Sequence, residues 1–575
     1  MKVRINGKEY EFKDGLTVLE ACRKIGITIP TFCYHELLEP RAVCRLCVVE
    51  VDGKLRTSCS TKLKEGMNII TNSPKVVEAR RTNLQLLIAD HKQECLLCNK
   101  SVNCKLFEYA NEYQIQNIAF EILTDEQNQT VHCLDDSSYA LIRDLSKCIK
   151  CGKCVQICDE LQTVHALTYA GRGRSVMPKT AYEMPIKETE CVFCGQCVLN
   201  CPTCALEEKS EIDEVISALN DNDFIVGVQI APSVRVSIGE EFGLTPGEIS
   251  TGKLITALRM IGFDYVFDTQ FGADLTIVEE ANELIERLEG KGKLPMFTSC
   301  CPAWVKFAEE FYPEHLDNLS TCRSPQQMFG AIFKTYFSKK INKIPEQLKL
   351  VSIMPCTAKK EEARRYEFIE DVDYVLTTRE LARMLKSFGI DFTKLKDDNF
   401  DSPLGESSGA GTIFGSTGGV CQAALRTVNH LLTGRKKLNF EFNFVSEDGF
   451  LKEGEVEINN KKIRFAVVQT LGKVREVFQN LDKYDFIEVM ACPGGCVGGG
   501  GQPIPTTMDI VKHRMNALWK NDEMKIIRLS HQNPSIQKLY DEFLGKPLGE
   551  NAHKLLHTTY LDRRKNKLYK NPKLF

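Results

Sequence analysis

The stretch "VMACPGGCVGGGGQP", residues 489–503, holds two cysteines, Cys492 and Cys496, and then four glycines in a row. It follows the apolar segment "YDFIE", which predicts a buried strand. Glycine lets the backbone come close to a bulky group. Two thiols at the end of a buried strand, beside such a backbone, indicate that this part of the chain binds an inorganic cofactor.

Cysteine is the unusual feature of the composition. The chain has 575 residues and 25 cysteines, of which 18 precede residue 205, many of them in CxxC pairs. This length predicts several domains. The net charge of −3 gives no reason to expect nucleic acid. The sequence contains no run of about 18 apolar residues, so no membrane span is expected. Because no export signal is found, the cysteines predict metal ligation in a reducing cytoplasm rather than disulfides.

Residues 1–78 predict a small cluster-binding domain. Alternating segments flank Asn6-Gly7, which indicates a hairpin, and "TVLEACRKIG" predicts a helix capped by Thr17 and stopped at Gly26. Four cysteines follow on loops, with the spacing C-x10-C-x2-C-x11-C: Cys33, Cys44, Cys47 and Cys59. The first gap is longer than in plant-type [2Fe–2S] proteins, and a structural zinc site is the alternative. The β-grasp-like start favours one [2Fe–2S] cluster.

Residues 79–125 contain a mixed set of ligands with the spacing H-x3-C-x2-C-x5-C: His91, Cys95, Cys98 and Cys104. Taken alone, three cysteines and a histidine are as typical of zinc as of an iron–sulfur cluster. Their position between two other cluster domains favours a His-ligated [4Fe–4S] cluster.

Residues 126–209 contain "CIKCGKCVQIC" and "CVFCGQCVLNCP", and both have the spacing of bacterial two-cluster ferredoxins. In that arrangement the fourth cysteine of each run binds the other cluster. One [4Fe–4S] cluster would be held by Cys148, Cys151, Cys154 and Cys201, and the other by Cys191, Cys194, Cys197 and Cys158. Asp159 stands where proline is usual in the first run.

Residues 210–575 alternate apolar strand-like segments with helical ones, which predicts an α/β domain with mainly parallel strands. Cysteines follow these segments in "LPMFTSCCPAW", "LKLVSIMPCTAKK" and "YDFIEVMACPGGC". Since ligands bind outside the carboxyl ends of such strands, we expect these cysteines to meet there. "SSGAGTIFGSTGG" lacks the Lys-Ser/Thr ending of a phosphate-binding loop, and we expect it to pack against the cofactor.

"TSCCPAW", "MPCTAKKEE" and "EVMACPGGCVGGGGQP" resemble, in this order, the three signatures of [FeFe] hydrogenases. The upstream modules resemble those of the large clostridial form with four accessory clusters. The resemblance implies an α+β multidomain fold: a β-grasp [2Fe–2S] module, a His-ligated cluster module, a two-[4Fe–4S] ferredoxin module and a two-lobed α/β catalytic domain. Its active site is the H-cluster, a [4Fe–4S] cube joined through one cysteine sulfur to a two-iron unit with CO, cyanide and a bridging dithiolate amine.

The resemblance also assigns roles to residues. The cube ligands would be Cys301, Cys356, Cys492 and Cys496, with Cys496 as the bridge, and Cys300 would pass protons to the amine. Lys359 would bind one cyanide, and the rest of the pocket would comprise Pro232, Ser233, Gln326, Met354, Phe414 and Met490. The proton route maps onto Glu280, Glu283, Ser320 and Arg287. Without the resemblance, Glu280 and Glu283 would read as a solvated helix face. Pro493 stands where some relatives have histidine.

These observations predict a cytoplasmic, monomeric enzyme that reversibly reduces protons to molecular hydrogen with electrons from ferredoxin or flavodoxin. It would need hydrogenase maturation enzymes. Neither nucleic acid nor a membrane is expected as a partner. The alternatives are a non-catalytic iron–sulfur sensor or scaffold, and a subunit of a larger NADH- or formate-linked complex. Five cysteines have no predicted ligand role and are expected to pack: Cys22, Cys133, Cys204, Cys322 and Cys421. Of these, Cys322 lies closest to the proton route.

Overall fold

The computed structural model describes residues 1–100, 104–120, 134–441, 443–444 and 449–564. Cys133 and the tail after residue 564 therefore lie outside the described residues. The chain begins with β1 (Lys2–Ile5), β2 (Lys8–Glu11), α1 (Val18–Lys24), β3 (Val48–Val51), β4 (Lys54–Thr57) and β5 (Asn68–Ile70). They form a sheet of order β2-β1-β5-β3-β4, in which β1 and β5 are parallel and the other neighbours antiparallel.

Both local predictions in this domain are confirmed. Asn6 and Gly7 have φ values of 49° and 82° and connect the paired residues Ile5 and Lys8, as a two-residue hairpin turn requires. Thr17 caps α1, because its side chain accepts from the Glu20 N–H while Glu20 accepts from the Thr17 N–H.

The cluster-binding modules that follow are built mainly from loops and short elements. These are α2 (Pro74–Ala89), α3 (Lys105–Glu112), β6 (Leu134–Asp135), β7 (Leu141–Asp144), α4 (Lys153–Gln156), β8 (Thr168–Ala170), β9 (Met177–Lys179), α5 (Gln196–Leu199) and β10 (Leu206–Glu208). Strands β10, β7 and β6 form one antiparallel sheet and β8 and β9 another.

The catalytic domain has two lobes, each built on a sheet. Its first part comprises α6 (Ile212–Leu219), β11 (Ile225–Ile230), α7 (Thr251–Met260), β12 (Tyr265–Asp268), α8 (Thr269–Leu288), β13 (Met296–Phe297), α9 (Pro302–Phe311), α10 (Pro325–Ile332), α11 (Ser338–Lys340), β14 (Leu348–Met354), α12 (Ala358–Glu362), β15 (Tyr374–Thr377) and α13 (Thr378–Ser387). The remainder comprises α14 (Gly409–Ile413), α15 (Gly419–Thr433), β16 (Asn443–Phe444), β17 (Leu451–Ile458), β18 (Lys461–Gln469), α16 (Leu471–Phe478), β19 (Phe486–Met490), α17 (Met508–Met524), α18 (Pro534–Leu539) and α19 (Glu550–Leu556).

The prediction of mainly parallel strands is correct for the first sheet, and the second sheet is mixed. The sheet of order β12-β11-β14-β15 is entirely parallel. In the sheet of order β13-β19-β18-β17-β16, the first three strands are parallel, and β17 and β16 are antiparallel additions. The cause is a hairpin at Asn459 and Asn460, whose φ values of 51° and 62° suit a tight turn between β17 and β18.

Helix α8 is the element between the lobes that matters most for the site. It packs against α10 on one side and against α14 and α15 on the other, and most of its residues are buried. The glutamates near its middle are therefore enclosed, and the expectation of a solvated face does not hold. No helix in the described part of the chain is long and apolar enough to cross a membrane.

Candidate active site

A cavity lies where the carboxyl ends of strands from both sheets of the catalytic domain meet. Its lining includes every residue that the sequence assigns to the cube and its pocket: Pro232, Ser233, Cys300, Cys301, Gln326, Met354, Cys356, Lys359, Phe414, Met490, Cys492 and Cys496. The expected convergence of the cysteines therefore follows from strand direction, as in other α/β folds.

The buried cysteines of this cavity influence one another. Burial, and then the charges of Cys356 and Cys301, raise the pKa of Cys496. Burial, and then the charge of Glu280, raise the pKa of Cys300 well above its usual value. The resting form of Cys300 is thus the thiol, and its pKa is not near the ~8.5 of a free cysteine. The cube-ligand set would lose its protons only to a metal that replaces them.

Lys359 is held by a residue that the sequence reading missed. Its Nζ donates to Glu362 Oε2 at 2.8 Å and to the Cys300 carbonyl oxygen at 3.2 Å. Burial is the largest single effect and lowers the pKa of Lys359, but the charge and hydrogen bond of Glu362, together with the charges of Cys356 and Cys300, outweigh it and the pKa is raised. Gln326 Nε2 donates to the same carboxylate at 3.1 Å. The i, i+3 spacing of Lys359 and Glu362 was the available signal.

Several polar atoms in the cavity wall have no partner within the described part of the chain. They are Ser233 Oγ, Thr269 Oγ1 and Gln326 Oε1, and all three residues line the cavity. An ammonium has three N–H donors, of which Lys359 spends two. Because buried polar groups are normally paired, this wall fits a bound group that itself offers hydrogen-bonding atoms.

The glycine run at 498–501 brings backbones together. A Cβ on Gly499 would lie 2.3 Å from the Pro355 carbonyl oxygen, and one on Gly500 would lie 2.5 Å from the Cys194 carbonyl oxygen and 2.6 Å from Gly195 Cα. Side chains at these positions would separate the cube-ligand loop from the loop that carries Cys194. The glycine run therefore allows two cysteine-bearing loops to contact each other through their backbones.

Further bonds join the same two loops. Thr357 Oγ1 donates to the Phe193 carbonyl oxygen at 2.7 Å, and Gln196 Nε2 donates to the Gly498 carbonyl oxygen at 2.8 Å. Charge on Cys194 contributes to raising the pKa of Cys492, after burial and Cys356. One cysteine set of the ferredoxin-like module thus lies directly beside the cavity.

The structure groups the cysteines of this module as the crossed pattern predicts. A cavity is lined by Cys148, Cys151, Cys154 and Cys201. In the other set, burial is the main cause that raises the pKa of Cys194, and a backbone hydrogen bond from Gln196 opposes it. The charges of Cys191 and Cys158 raise this pKa further. The fourth cysteine of each run is therefore near the three cysteines of the other.

The N-terminal sets are less closely assembled. Cys33 Sγ and Cys44 Sγ are 3.4 Å apart, and hydrogen bonding with Cys59 lowers the pKa of Cys47. His91 Nδ1 lies 3.0 Å from the Lys147 carbonyl oxygen, which leaves Nε2 for a ligand. Burial and, more weakly, Cys98 raise the pKa of Cys104. Residues 101–103, between Cys98 and Cys104, are outside the described residues.

Single metal ions do not fit these sets in the described residues. Four thiolates bound to one zinc at about 2.3 Å would lie within ~4 Å of each other. The one trio of His, Cys, Asp or Glu whose ligand atoms all lie within 4.8 Å is Glu283, Cys322 and His557. The wider spacing of the cysteine sets favours multi-iron clusters over zinc.

The predicted proton-route residues form a buried network on α8 and the loop before α10. Ser320 Oγ donates to Glu283 Oε2 at 2.7 Å, and Arg287 Nη2 donates to Glu283 Oε1 at 2.6 Å. Among the described residues, neither carboxylate oxygen of Glu280 has a hydrogen-bond partner at ordinary geometry. Burial, and then the charges of Glu283 and Glu488, raise the pKa of Glu280 to about 8. Glu280 is therefore neutral near pH 7 and holds a proton beside Cys300.

Two of the cysteines expected to pack have polar neighbours instead. Cys204 Sγ lies 3.1 Å from Glu207 Oε2, and Cys322 Sγ lies 3.8 Å from Glu283 Oε2. Cys22 and Cys421 are enclosed in hydrophobic clusters, as expected.

Fold and site together define an iron–sulfur oxidoreductase whose cysteine sets lead to a buried, thiol-lined cavity. Family models match most of the chain: 2Fe-2S iron-sulfur cluster binding domain (residues 1–74), NADH-ubiquinone oxidoreductase-G iron-sulfur binding region (80–119), 4Fe-4S dicluster domain (147–205), iron only hydrogenase large subunit, C-terminal domain (224–500), and iron hydrogenase small subunit (508–563). The chain belongs to the [FeFe] hydrogenase family and is an oxidoreductase that acts on hydrogen.

Individual relatives agree with this assignment over nearly the full length. The chain is 45% identical to the NADP-reducing hydrogenase subunit HndD of Solidesulfovibrio fructosivorans, covering 98% of this chain and 99% of that one. It is 41% identical to iron hydrogenase 1 of Clostridium pasteurianum, covering 97% and 99%. The structure of apo [FeFe]-hydrogenase HydA1 from Chlamydomonas reinhardtii matches with a TM-score of 0.57 and 40% identity, covering 62% of this chain and 99% of that one.

Proposed function

We propose that this hydrogenase reversibly reduces protons to molecular hydrogen, with electrons from reduced ferredoxin or flavodoxin that pass through four accessory clusters. The observation that carries the proposal is the cavity: five cysteines and a lysine surround it, and unpaired polar atoms face it. Such a wall suits a cofactor that brings its own metal and its own hydrogen-bond acceptors. The proposal divides the chain at residues 78, 125 and 209, and the second boundary lies outside the described residues.

The cavity residues fit the H-cluster. Cys301, Cys356, Cys492 and Cys496 would hold the cube, with Cys496 as the bridge to the two-iron unit. The unspent N–H of Lys359 and the Ser233 hydroxyl would donate to cyanide ligands. When bound, the cofactor supplies the low-valent iron at which the H–H bond is made or broken. Pro232, Met354, Phe414 and Met490 would exclude water, since they are apolar and buried or nearly so.

The protein's own part is to move protons and to keep them available. Cys300 is the innermost donor, because its raised pKa keeps it a thiol. Neutral Glu280 would return a proton to Cys300, and Ser320 and Glu283 would recharge Glu280. Arg287 would hold the Glu283 carboxyl group in position through the bonds that its Nε and Nη2 donate to Glu283 Oε1. A buried site has no ready substitute for such donors.

The accessory sets would carry electrons. The backbone contact between Gly500 and Cys194 supports short-range transfer from the ferredoxin-like module to the cube. One [2Fe–2S] and three [4Fe–4S] clusters account for the fifteen cysteines and His91 of the accessory sets. The N-terminal sets would receive electrons from the partner.

A second electron partner has a specific observation in its favour. The relative HndD is described as a subunit of an NADP-reducing hydrogenase. The sequence here has neither G-x-G-x-x-G nor a phosphate-binding loop, so NADPH would require another subunit. The purified chain should produce hydrogen with reduced ferredoxin and not with NADPH alone. Activity with NADPH alone would refute the ferredoxin proposal.

The proposal also covers assembly and setting: a cytoplasmic monomer loaded by hydrogenase maturation enzymes. The decisive experiment is infrared spectroscopy of the matured protein together with a hydrogen-production assay. We expect bands in the CO and cyanide stretch region and turnover that CO inhibits reversibly. A protein that carries all its iron–sulfur clusters but lacks those bands would instead be a sensor or scaffold.

A further inference from the structure

A second buried polar network adjoins Glu283 on the side away from the cavity. Glu279 and Glu283 are spaced i, i+4 on α8, which puts them on one helix face. His557 Nε2 lies 3.0 Å from Glu279 Oε2, and His557 Nδ1 lies 2.8 Å from Thr321 Oγ1. The ligand atoms of Glu283, Cys322 and His557 all lie within 4.8 Å of one another. Titratable groups of three chain segments thus meet next to the proposed proton route.

Hydrogen bonds favour proton transfer over metal binding as the use of this trio. Both nitrogens of His557 have protein partners, and both oxygens of Glu283 accept hydrogen bonds, from Arg287 and Ser320. A metal would have to break several of these bonds. A proton can pass within the trio itself, where Cys322 Sγ lies 3.8 Å from Glu283 Oε2 and a His557 ring nitrogen lies within 4.8 Å of both.

The network continues to the surface through the chain's C-terminal part. The ring of His553, which is exposed, lies on the buried His557 ring with centroids 4.3 Å apart. Both histidines belong to the segment that matches the hydrogenase small subunit, residues 508–563. This segment is tied to the site by an antiparallel bridge between Cys322 and His557 and by the Arg323 Nε bond to the His557 carbonyl oxygen, 3.0 Å long.

We infer that His557 and Cys322 form a second proton input, which takes protons from solvent beside His553 and delivers them to Glu283. The inference rests on the proposed route through Glu283 and Cys300. In one transfer, the Cys322 S–H proton passes to a Glu283 carboxylate oxygen, and the sulfur takes a proton from protonated His557, whose N–H leaves its bond to Thr321 or Glu279 for that step. An O–H bond forms as the S–H bond is broken and remade. Neutral His557 then takes a proton from water, and no electron is moved.

Charged groups face His557 from several elements. Glu279 and Glu283 face it from α8, and Glu279 also accepts from Tyr540 and from the Leu548 N–H. Two cations are also near. Arg323 donates from Nη1 to Asp371 Oδ2 at 2.9 Å, and Lys554 is exposed. Burial, and then the carboxylates Glu283, Glu280 and Glu279, raise the pKa of Cys322 well above its usual value. Cys322 therefore remains an S–H donor at working pH.

The test compares variants that keep or remove the proton-passing atom. Cys322→Ser keeps a hydroxyl donor and Cys322→Ala does not, while both are smaller than cysteine. His557→Gln keeps an amide for Glu279 but cannot titrate. Hydrogen production by the matured enzyme should fall about tenfold at alkaline pH in Cys322→Ala and His557→Gln, and less at acidic pH, where protons are plentiful. This loss is smaller than the ~10²–10⁴-fold loss expected when a sole proton carrier is removed, because protons can still enter the route from the Arg287 side. Cys322→Ser should stay within about twofold of wild type.

Controls separate this inference from packing effects and from the proposed route. His531→Gln changes a half-buried histidine, which stacks on His430, and should leave the pH profile unchanged. Iron content and infrared bands should match wild type in every variant. Equal losses in Cys322→Ala and Cys322→Ser with parallel pH profiles, or wild-type profiles in Cys322→Ala and His557→Gln, would overturn the second input. A Cys300→Ala enzyme with wild-type turnover would instead overturn the route on which it rests.

Discussion

Cys300 and Cys301 are adjacent in the chain, but their sulfurs have different surroundings. Cys301 is the N-cap of α9, and backbone N–H groups of Ala491 and Trp304 oppose the rise that burial causes in its pKa. Backbone donors and a helix N-terminus stabilise a thiolate, which suits a metal ligand. Cys300 has the Glu280 carboxyl beside it, which disfavours a thiolate. The local electrostatics therefore support Cys301 as the metal ligand and Cys300 as the proton donor, as the family resemblance implied.

Replacement of these two cysteines should give different defects. Cys301→Ala removes a metal bond, and the protein should contain less iron after maturation. Cys300→Ala removes no metal bond, and its infrared bands should persist while turnover falls by at least ~10²–10⁴-fold. Iron analysis, infrared spectra and hydrogen assays distinguish the two. Normal iron content in Cys301→Ala would show that the ligand has been misassigned.

Glu280 should make stability depend on pH. Its pKa is about 8 in the folded protein, against a usual value of 4.5. Between these values the folded state binds one more proton than the unfolded state, so this residue lowers the free energy of unfolding increasingly as pH rises. Glu280→Gln cannot ionise. It should raise the apparent unfolding temperature more at about pH 8 than at about pH 6, as measured by thermal unfolding.

The matched control for Glu280 is Glu286→Gln on the same helix, because Glu286 is exposed. It should leave the pH dependence of unfolding unchanged. Identical pH profiles for Glu280→Gln and wild type would mean that Glu280 is ionised in the fold.

At the scale of elements, the loop after β19 combines two tasks. Its cysteines face the cavity, and its glycines lie against the loop around Cys194. Neither task would be possible with ordinary side chains at 499 and 500, because a Cβ there would overlap backbone atoms, which cannot rotate away. The loop is therefore the mechanical and electronic junction between the ferredoxin-like module and the catalytic domain.

Gly500→Ala should weaken this junction. The new methyl would push the loop from Cys194 and Gly195 and lengthen the path for electrons. Hydrogen production with reduced ferredoxin should fall several-fold, while hydrogen–deuterium exchange, which needs no external electrons, should change little. Gly405→Ala is the control, since its Cβ would lie 2.4 Å from Phe400 Cβ and 2.5 Å from the Asp401 carbonyl oxygen, far from any cysteine set. Equal effects on both assays would argue against an electronic role.

At the scale of the whole molecule, both N-terminal cysteine sets lie against the ferredoxin-like module. The charge of Cys44 contributes to raising the pKa of Cys151, and Lys100, next to the other set, donates to the Cys201 carbonyl oxygen. Local ties hold the modules together, such as the Lys150–Asp90 ion pair of 3.1 Å and the bond from Arg379 to Glu208, whose side chains are buried. A buried pair of this kind costs several kcal/mol to break by removing one partner. The modules are thus held in fixed contact, which the proposed transfer of electrons between their clusters would require.

His91→Ala tests the proposed electron path at the cluster site of His91, Cys95, Cys98 and Cys104. It should remove or alter one [4Fe–4S] signal in electron paramagnetic resonance, while the infrared bands of the active site remain. Electron exchange with ferredoxin should slow more than hydrogen–deuterium exchange. His531→Ala, which alters a histidine remote from the clusters, should change neither signal. One zinc per chain in the wild-type protein, in place of that cluster, would show that the site binds zinc.

The sequence by itself determined the cysteine sets, the order of modules and the carboxyl-end position of the cavity. These depend on short ligand spacings and on strand–loop order, which are local properties of the chain. The pocket residues were implied by the family resemblance and not by any spacing. The tertiary structure alone decided that Glu280 and Glu283 are buried, that β17 and β16 run antiparallel, and that the glycine run contacts Cys194. It also brought Thr321 and His557 together although they are 236 residues apart. Such contacts depend on how helices and loops pack across long separations, and no local pattern of residue types specifies that.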